Sequence, residues 1–314
     1  MHPRAGAEPE LAPALRWQRA VDDALSTGEL PAAAVVLEIG SRQPLALGRH
    51  RGADPATIAL RPGSTVKPLL AWIAAEAGAL PLDQAFTCEG RYAPLPDFHC
   101  PGTHGPLHVP DAIETSCNTY FFDVARRLGK ERVSAGFASF GFGASTGLVP
   151  GETNGLVASS AWVAHARAPV GEHWHLAVGI GHGPLEVTPL QLAVAYARLA
   201  ELLTRPSSAV SDAARADILR GLHRAIDGER GTGLLAAVPG IDLVGKTGTA
   251  EGGAFGDAAS EGAPENGWFV AFEPAAAPSI VVAVVVIGGK NGGKSAAPIT
   301  GSILQRFRDS RPGG

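Results

Sequence analysis

Apolar positions recur along this chain with two spacings, and the changes between them mark its elements. Leu15, Ala20, Val21 and Leu25 share one helical face, and Gly28 closes the run. Residues 32–37 are unbroken apolar and read as a strand, paired with residues 44–47 across the Gly40–Ser41 turn. A helix is predicted over 65–77, opening after Pro62-Gly63 and closing at Gly78. Residues 81–110 lose periodicity and are rich in Pro and Gly. Helical spacing returns over 111–128, interrupted by the polar residues around Ser116 and Asn118. Further helices are predicted over 188–203, with Pro189 in the first turn where proline costs least, and over 213–226. Three consecutive strands follow over 241–250, 267–272 and 279–288. The expectation is one α/β domain over residues 14–308 whose sheet draws on both ends of the chain, with residues 1–13 as a loose tail.

Composition narrows the class. Hydrophobic residues are 45% of the 314 and charged residues 18%, enough apolar material for a sizeable core. The formal net charge of −4 gives no electrostatic reason to expect nucleic acid or an anionic membrane as partner. The longest strongly apolar run, residues 280–287, is far short of the ~20 residues that cross a bilayer, and its Val and Ile suit a buried strand. Pro and Glu within the first fifteen residues break the apolar stretch a signal peptide needs, so no export signal or membrane anchor is expected in this chain.

The chemistry lies in three short motifs. Ser64-Thr65-Val66-Lys67 places a hydroxyl and an amine three residues apart at a helix start, on one face. A serine needs a base before it attacks, and the positive end of a helix disfavours the ammonium form of Lys67. Alone, the same four residues also describe a helix cap beside a solvated lysine. Only five lysines stand against 21 arginines, and arginine cannot lose its proton to serve as a base. Ser116-Cys117-Asn118 can present a hydroxyl that relays a proton and an amide that holds a carbonyl. Lys246-Thr247-Gly248-Thr249 falls in a predicted strand, where alternation puts both threonine hydroxyls on one side and the glycine admits a ligand backbone. The motifs each occur once, in order, 52 and 130 residues apart. That trio marks β-lactamases and penicillin-binding proteins.

At this point the sequence resembles the transpeptidase domain of penicillin-binding proteins, class B and elongation-type. The likeness runs from about residue 32 to 303 and includes "RPGSTVKP" at 61–68, "HGPLHVPDAIETSCNTYFFDVARRLG" at 104–129, "GIGHGPLEVTPLQLAVAYARLA" at 179–200, "GKTGTAE" at 245–251 and "NGWFVAFEP" at 266–274. The resemblance implies an antiparallel sheet flanked by helices, an all-helical subdomain beside it, and an active site in the cleft between them. It implies that Ser64 attacks the D-Ala–D-Ala carbonyl of a peptidoglycan stem peptide and that the acyl group passes to an amine of a neighbouring stem. Lys67 would be the base, Ser116 the proton relay and Asn118 the holder of the substrate amide. Lys246 would support the proton network, Thr247 and Thr249 would hold the terminal carboxylate with Gly248 between them as a substrate-binding position, and the N–H groups of Ser64 and Thr249 would form the oxyanion hole. β-Lactams would acylate Ser64, a glycan polymerase would be a partner, the location would be extracytoplasmic, and no cofactor would be needed for the chemistry. Relative to the family, no anchor or N-terminal pedestal is expected in this chain, the stretch before Ser64 is short, and Gly-His-Gly stands at 181–183, where many members have Gly-Gln-Gly.

Related functions share these motifs. A D,D-carboxypeptidase uses water as acceptor, and a serine β-lactamase hydrolyses its acyl-enzyme, although no second carboxylate here is placed for that. A non-catalytic β-lactam or muropeptide sensor is the alternative of another class. Cys88, Cys100 and Cys117, with His104 four residues after Cys100, make a valid Cys₃His structural zinc set. His99 and His108 are spare candidates. A Cys88–Cys100 disulfide and three separate buried thiols are the other readings.

Overall fold

The computed structural model describes residues 12–310 except 168, 207–208, 254 and 257–261, so the predicted tail lies almost wholly outside the described residues. Helix α1 (Pro13–Ser26) begins two residues before the predicted face and buries Trp17, Ala20, Val21, Ala24 and Leu25. The hairpin β1 (Ala32–Glu38) and β2 (Pro44–His50) follows. A 3₁₀ turn over Gly63–Val66 runs into α2 (Lys67–Glu76), so the predicted helix starts with one tighter turn. In the stretch without periodicity, β3 (Phe86–Cys88) and β4 (Gly105–Leu107) pair as a small ribbon.

The single helix predicted over 111–128 is two helices, α3 (Val109–Glu114) and α4 (Asn118–Ser139), separated at the polar interruption. Gly129, at φ +76, breaks α4 where the predicted pattern ends. The next elements are β5 (Leu156–Val157), α5 (Ser160–Ala164), α6 (Trp174–Gly179), β6 (Leu185–Glu186), α7 (Pro189–Thr204) and α8 (Asp212–Asp227). Thr188 caps α7, its hydroxyl accepting from Gln191 N–H while the Gln191 side chain accepts from Thr188 N–H. Strands β7 (Val244–Ala250), β8 (Asn266–Glu273) and β9 (Ile280–Val286) and helix α9 (Gly292–Asp309) complete the chain.

The main sheet runs β2-β1-β9-β8-β7, antiparallel throughout. Ala32 faces Val286 across the β1–β9 pair, so the two ends of the chain meet at the sheet centre. All seven β9 residues are buried, and alternation sends them to two cores. Val281, Ala283 and Val285 join the core that α7 packs on β9 and that α2 and α8 extend, while Val282 and Val284 join the core under α9 that also takes in α1. On the second face, the rings of Trp17 and Phe307 stack 3.5 Å apart and join α1 to α9. Each such buried side chain contributes about 1.5–3 kcal/mol. Strand β7 is left at the sheet edge beside the Gly63–Val66 turn. No helix among the described residues is long and apolar enough to cross a membrane.

Candidate active site

Backbone packing holds the turn that carries Ser64. Gly63 has φ +55, and a Cβ there would lie 2.4 Å from the Thr249 carbonyl oxygen, so glycine is what lets the turn touch β7. Its N–H donates to the Gly181 carbonyl at 2.9 Å. Thr65 donates its hydroxyl to Pro62 O at 2.9 Å, and Tyr196 of α7 donates to Thr65 O at 2.6 Å. Ser64 opens onto a cleft of about 950 Å³ that Ser116, Asn118, Thr247, Gly248 and Thr249 also line.

Lys67 is fully buried one turn later. Its Nζ donates to the Ser116 carbonyl and to Asn118 Oδ1, both at 2.6 Å, and to Ser116 Oγ at 3.3 Å. Spacing predicts a Ser64–Lys67 contact, but here the amine's hydrogen bonds go to the Ser116–Asn118 turn. Such bonds to a nucleophile are often loose until substrate arrives. Burial lowers the Lys67 pKa to about 8, with Cys117 and Cys100 opposing. The cause is loss of water rather than the helix field expected from sequence. Lys246 is also fully buried, donating to Thr247 O at 3.3 Å and Oγ1 at 3.4 Å. Burial pushes its pKa well down, and the Lys67 charge adds to the effect.

The turn that receives Lys67 is strained. Ser116 sits at φ +56, a region costly for a residue with a side chain, by about 1–3 kcal/mol. Its neighbours hold it there. Cys117 N–H donates to Ala112 O at 3.0 Å, and Arg224 of α8 clamps α3 through Asp111 (2.9 Å) and the buried Glu114 (2.5 Å).

Behind that turn lie the cysteines. The ligand atoms of Cys88, Cys100, His104 and Cys117 all fall within 4.8 Å of one another. His104 Nδ1 is 3.5 Å from Cys88 Sγ and 3.6 Å from Cys100 Sγ. Tetrahedral zinc with bonds of about 2.0–2.3 Å asks for donor separations of about 3.5–3.8 Å, so the set fits. A hydrogen bond from Cys117 pushes the Cys100 thiol far below its ordinary range, with further donation from the Asn118 and Gly102 N–H groups. Asn118 N–H donates to Cys100 Sγ at 3.3 Å, which ties the cluster to the cleft. The three thiols are free, so the Cys88–Cys100 disulfide is not formed here. His99 turns its Nδ1 to Asp97 O, and His108 caps α3, so neither spare histidine joins the set.

A family model described as the penicillin binding protein transpeptidase domain matches residues 32–305. The chain belongs to this penicillin-binding-protein transpeptidase family. Among its relatives, the peptidoglycan D,D-transpeptidase MrdA of Acinetobacter baumannii is 31% identical, the match covering 75% of this chain and 40% of that protein. Penicillin-binding protein 3 of Bacillus subtilis is 30% identical over 68% of this chain and 34% of its own. The chain spans less than half the length of these curated relatives. The solved structure of Pseudomonas aeruginosa penicillin-binding protein 2, in complex with WCK 5153, superposes with a TM-score of 0.80 at 26% identity, covering 93% of this chain and 74% of that one.

Several cleft residues of this family member escaped the sequence reading. Thr232 lies 2.7 Å from Thr247, hydroxyl to hydroxyl. Leu234 and Leu235 form an exposed apolar lip, and Lys290 and Lys294 stand at the start of α9. None sits in a motif, and only the fold brings them to β7. The His182 ring also lines the cleft. The Gly-His-Gly departure was its one sequence signal.

Proposed function

We propose that this domain is a serine D,D-transpeptidase that crosslinks peptidoglycan stem peptides through an acyl-enzyme on Ser64. One observation carries the reading: a buried lysine with its pKa near 8 is hydrogen-bonded to both Ser116 and Asn118 in the cleft that Ser64 shares with Thr247–Thr249. Lys67 takes the Ser64 proton as Oγ attacks the penultimate D-alanine carbonyl. The C–Oγ bond forms, the C–N bond breaks, and Ser116 passes the proton to the departing D-alanine nitrogen. Asn118 holds the substrate amide. Thr247 and Thr249 take the terminal carboxylate beside Lys246, and Gly248 leaves room for the peptide backbone. The N–H groups of Ser64 and Thr249 face the developing oxyanion, where one lost donor costs on the order of 10²–10³ in rate. β-Lactams acylate the same oxygen.

On this reading the catalytic unit is the domain over residues 14–308. It works outside the cytoplasmic membrane, where stem peptides are crosslinked, beside a glycan polymerase that lays down the strands. The chemistry needs no cofactor. The Cys88, Cys100, His104 and Cys117 set would hold a structural zinc ion, fixing the 88–104 segment to the Ser116–Asn118 turn. Labelling with fluorescent penicillin tests the central claim. The intact chain should form a stable adduct and Ser64→Ala none; equal labelling of both would end it. Transfer to an added amine then separates a transpeptidase from a carboxypeptidase, which would release only the hydrolysed acid. Fast turnover of the penicillin would indicate a lactamase.

A further inference from the structure

The second half-reaction needs a proton acceptor for the incoming amine, and His182 lines the same cleft as Ser64. The Gly63 N–H to Gly181 O bond (2.9 Å) locks two backbone segments together. Ser64 and His182 are the residues that follow this pair in each segment, and both side chains line the same cleft. Gly181 lies so close that a Cβ on it would be 2.0 Å from Gly63 O, so the loop cannot drift from the nucleophile's turn. The His182 N–H donates to Ala177 O at 2.9 Å, which pins the loop from its other side. Among the described residues the ring nitrogens have no hydrogen-bond partner, whereas His99 is turned to Asp97 O and His104 to the cysteines.

The ring is also uncharged in the working range. Burial, the Lys67 charge and the Arg61 charge together lower its pKa to about 4. It keeps a nitrogen lone pair at any pH above that. The other bases are less accessible to an acceptor. Lys246 is fully buried, and Lys67 is bound by three oxygens of the Ser116–Asn118 turn, the route assigned to the departing amine.

We propose that His182 is the catalytic base of acyl transfer to the acceptor, an inference that rests on the acyl-enzyme reading above. The acceptor nitrogen attacks the acyl carbon. The C–N bond forms while the C–Oγ bond to Ser64 breaks. The nitrogen's proton passes to the His182 ring, and the resulting imidazolium returns it to Ser64 Oγ, which leaves the enzyme as it began. General-base assistance contributes about 10²–10⁴-fold, most where the base's pKa lies near the working pH, so a ring held near 4 belongs at the low end of that range.

The test separates the half-reactions in the full chain. Acylation is followed with fluorescent penicillin, and transfer with a benzoyl-D-alanyl thioester donor and D-methionine as acceptor amine. His182→Gln and His182→Ala should acylate within about threefold of the parent, while transfer falls about 10²-fold or more and added imidazole restores part of it in His182→Ala. Acylation in the variants also reports that they fold. Transfer in His182→Gln within threefold of the parent would overturn the inference. So would an equal fall in both steps, which would reduce His182 to a support for the Ser64 turn. A parent chain that neither donor acylates would instead overturn the proposed function, and the inference with it.

Discussion

Replacing Lys67 by arginine keeps a cation in place and removes the ability to give up a proton. The structure sets what should be lost. A pKa of about 8 leaves roughly a quarter of Lys67 neutral at pH 7.5, against about 0.1% for an unperturbed lysine, a gain of about 200-fold in free base. Holding the amine near 8 costs the ammonium form roughly 3 kcal/mol of lost solvation. The unfolded chain binds that proton more tightly than the folded one. Folding stability should therefore rise with pH between about 8 and 10.5, and below that window the site costs stability. Acylation needs the neutral amine, so its rate should climb about tenfold per pH unit below 8 and level off above, falling at pH 6 to about one-hundredth of the plateau. The assay is the second-order rate of fluorescent-penicillin acylation from pH 5.5 to 9.5. His182, with its pKa near 4, does not titrate in this range. Lys67→Arg should acylate about 10²–10⁴-fold more slowly. A flat profile between pH 6 and 9, or Lys67→Arg at parental rate, would refute the assignment of Lys67 as base.

Two more outcomes follow from the turn beside it. Ser116→Gly removes a side chain from a backbone at φ +56 and should raise stability by about 0.5–1 kcal/mol in chemical denaturation while slowing turnover, since the relay hydroxyl is gone; a loss of stability would show that Ser116 is not strained. Purified protein should carry about one equivalent of zinc by elemental analysis, Cys100→Ser should lose it, and a chelator should lower the Tm; less than half an equivalent in the parent would remove zinc from the account.

What the linear sequence carried was local. Helical spacing, short unbroken apolar runs and the Gly and Pro that bound them placed α1, α2, α7, α8 and the five strands of the main sheet, because burial and chain reversal both follow backbone geometry. The three motifs were legible because nucleophile, base and carboxylate holder restrict residue type at fixed spacing. The ribbon of β3 and β4 was not, since three-residue strands, one containing Pro106, are too short to show alternation. Nor was the Arg224–Glu114 clamp, which joins residues far apart in the chain through packing of α8 on α3. Tertiary structure alone decided which way Lys67 points and how dry its surroundings are. It also decided that Cys88 reaches Cys117 and that His182 faces the same space as Ser64. Proton affinity and proximity depend on which distant segments exclude water from a group, and no short window of sequence contains that.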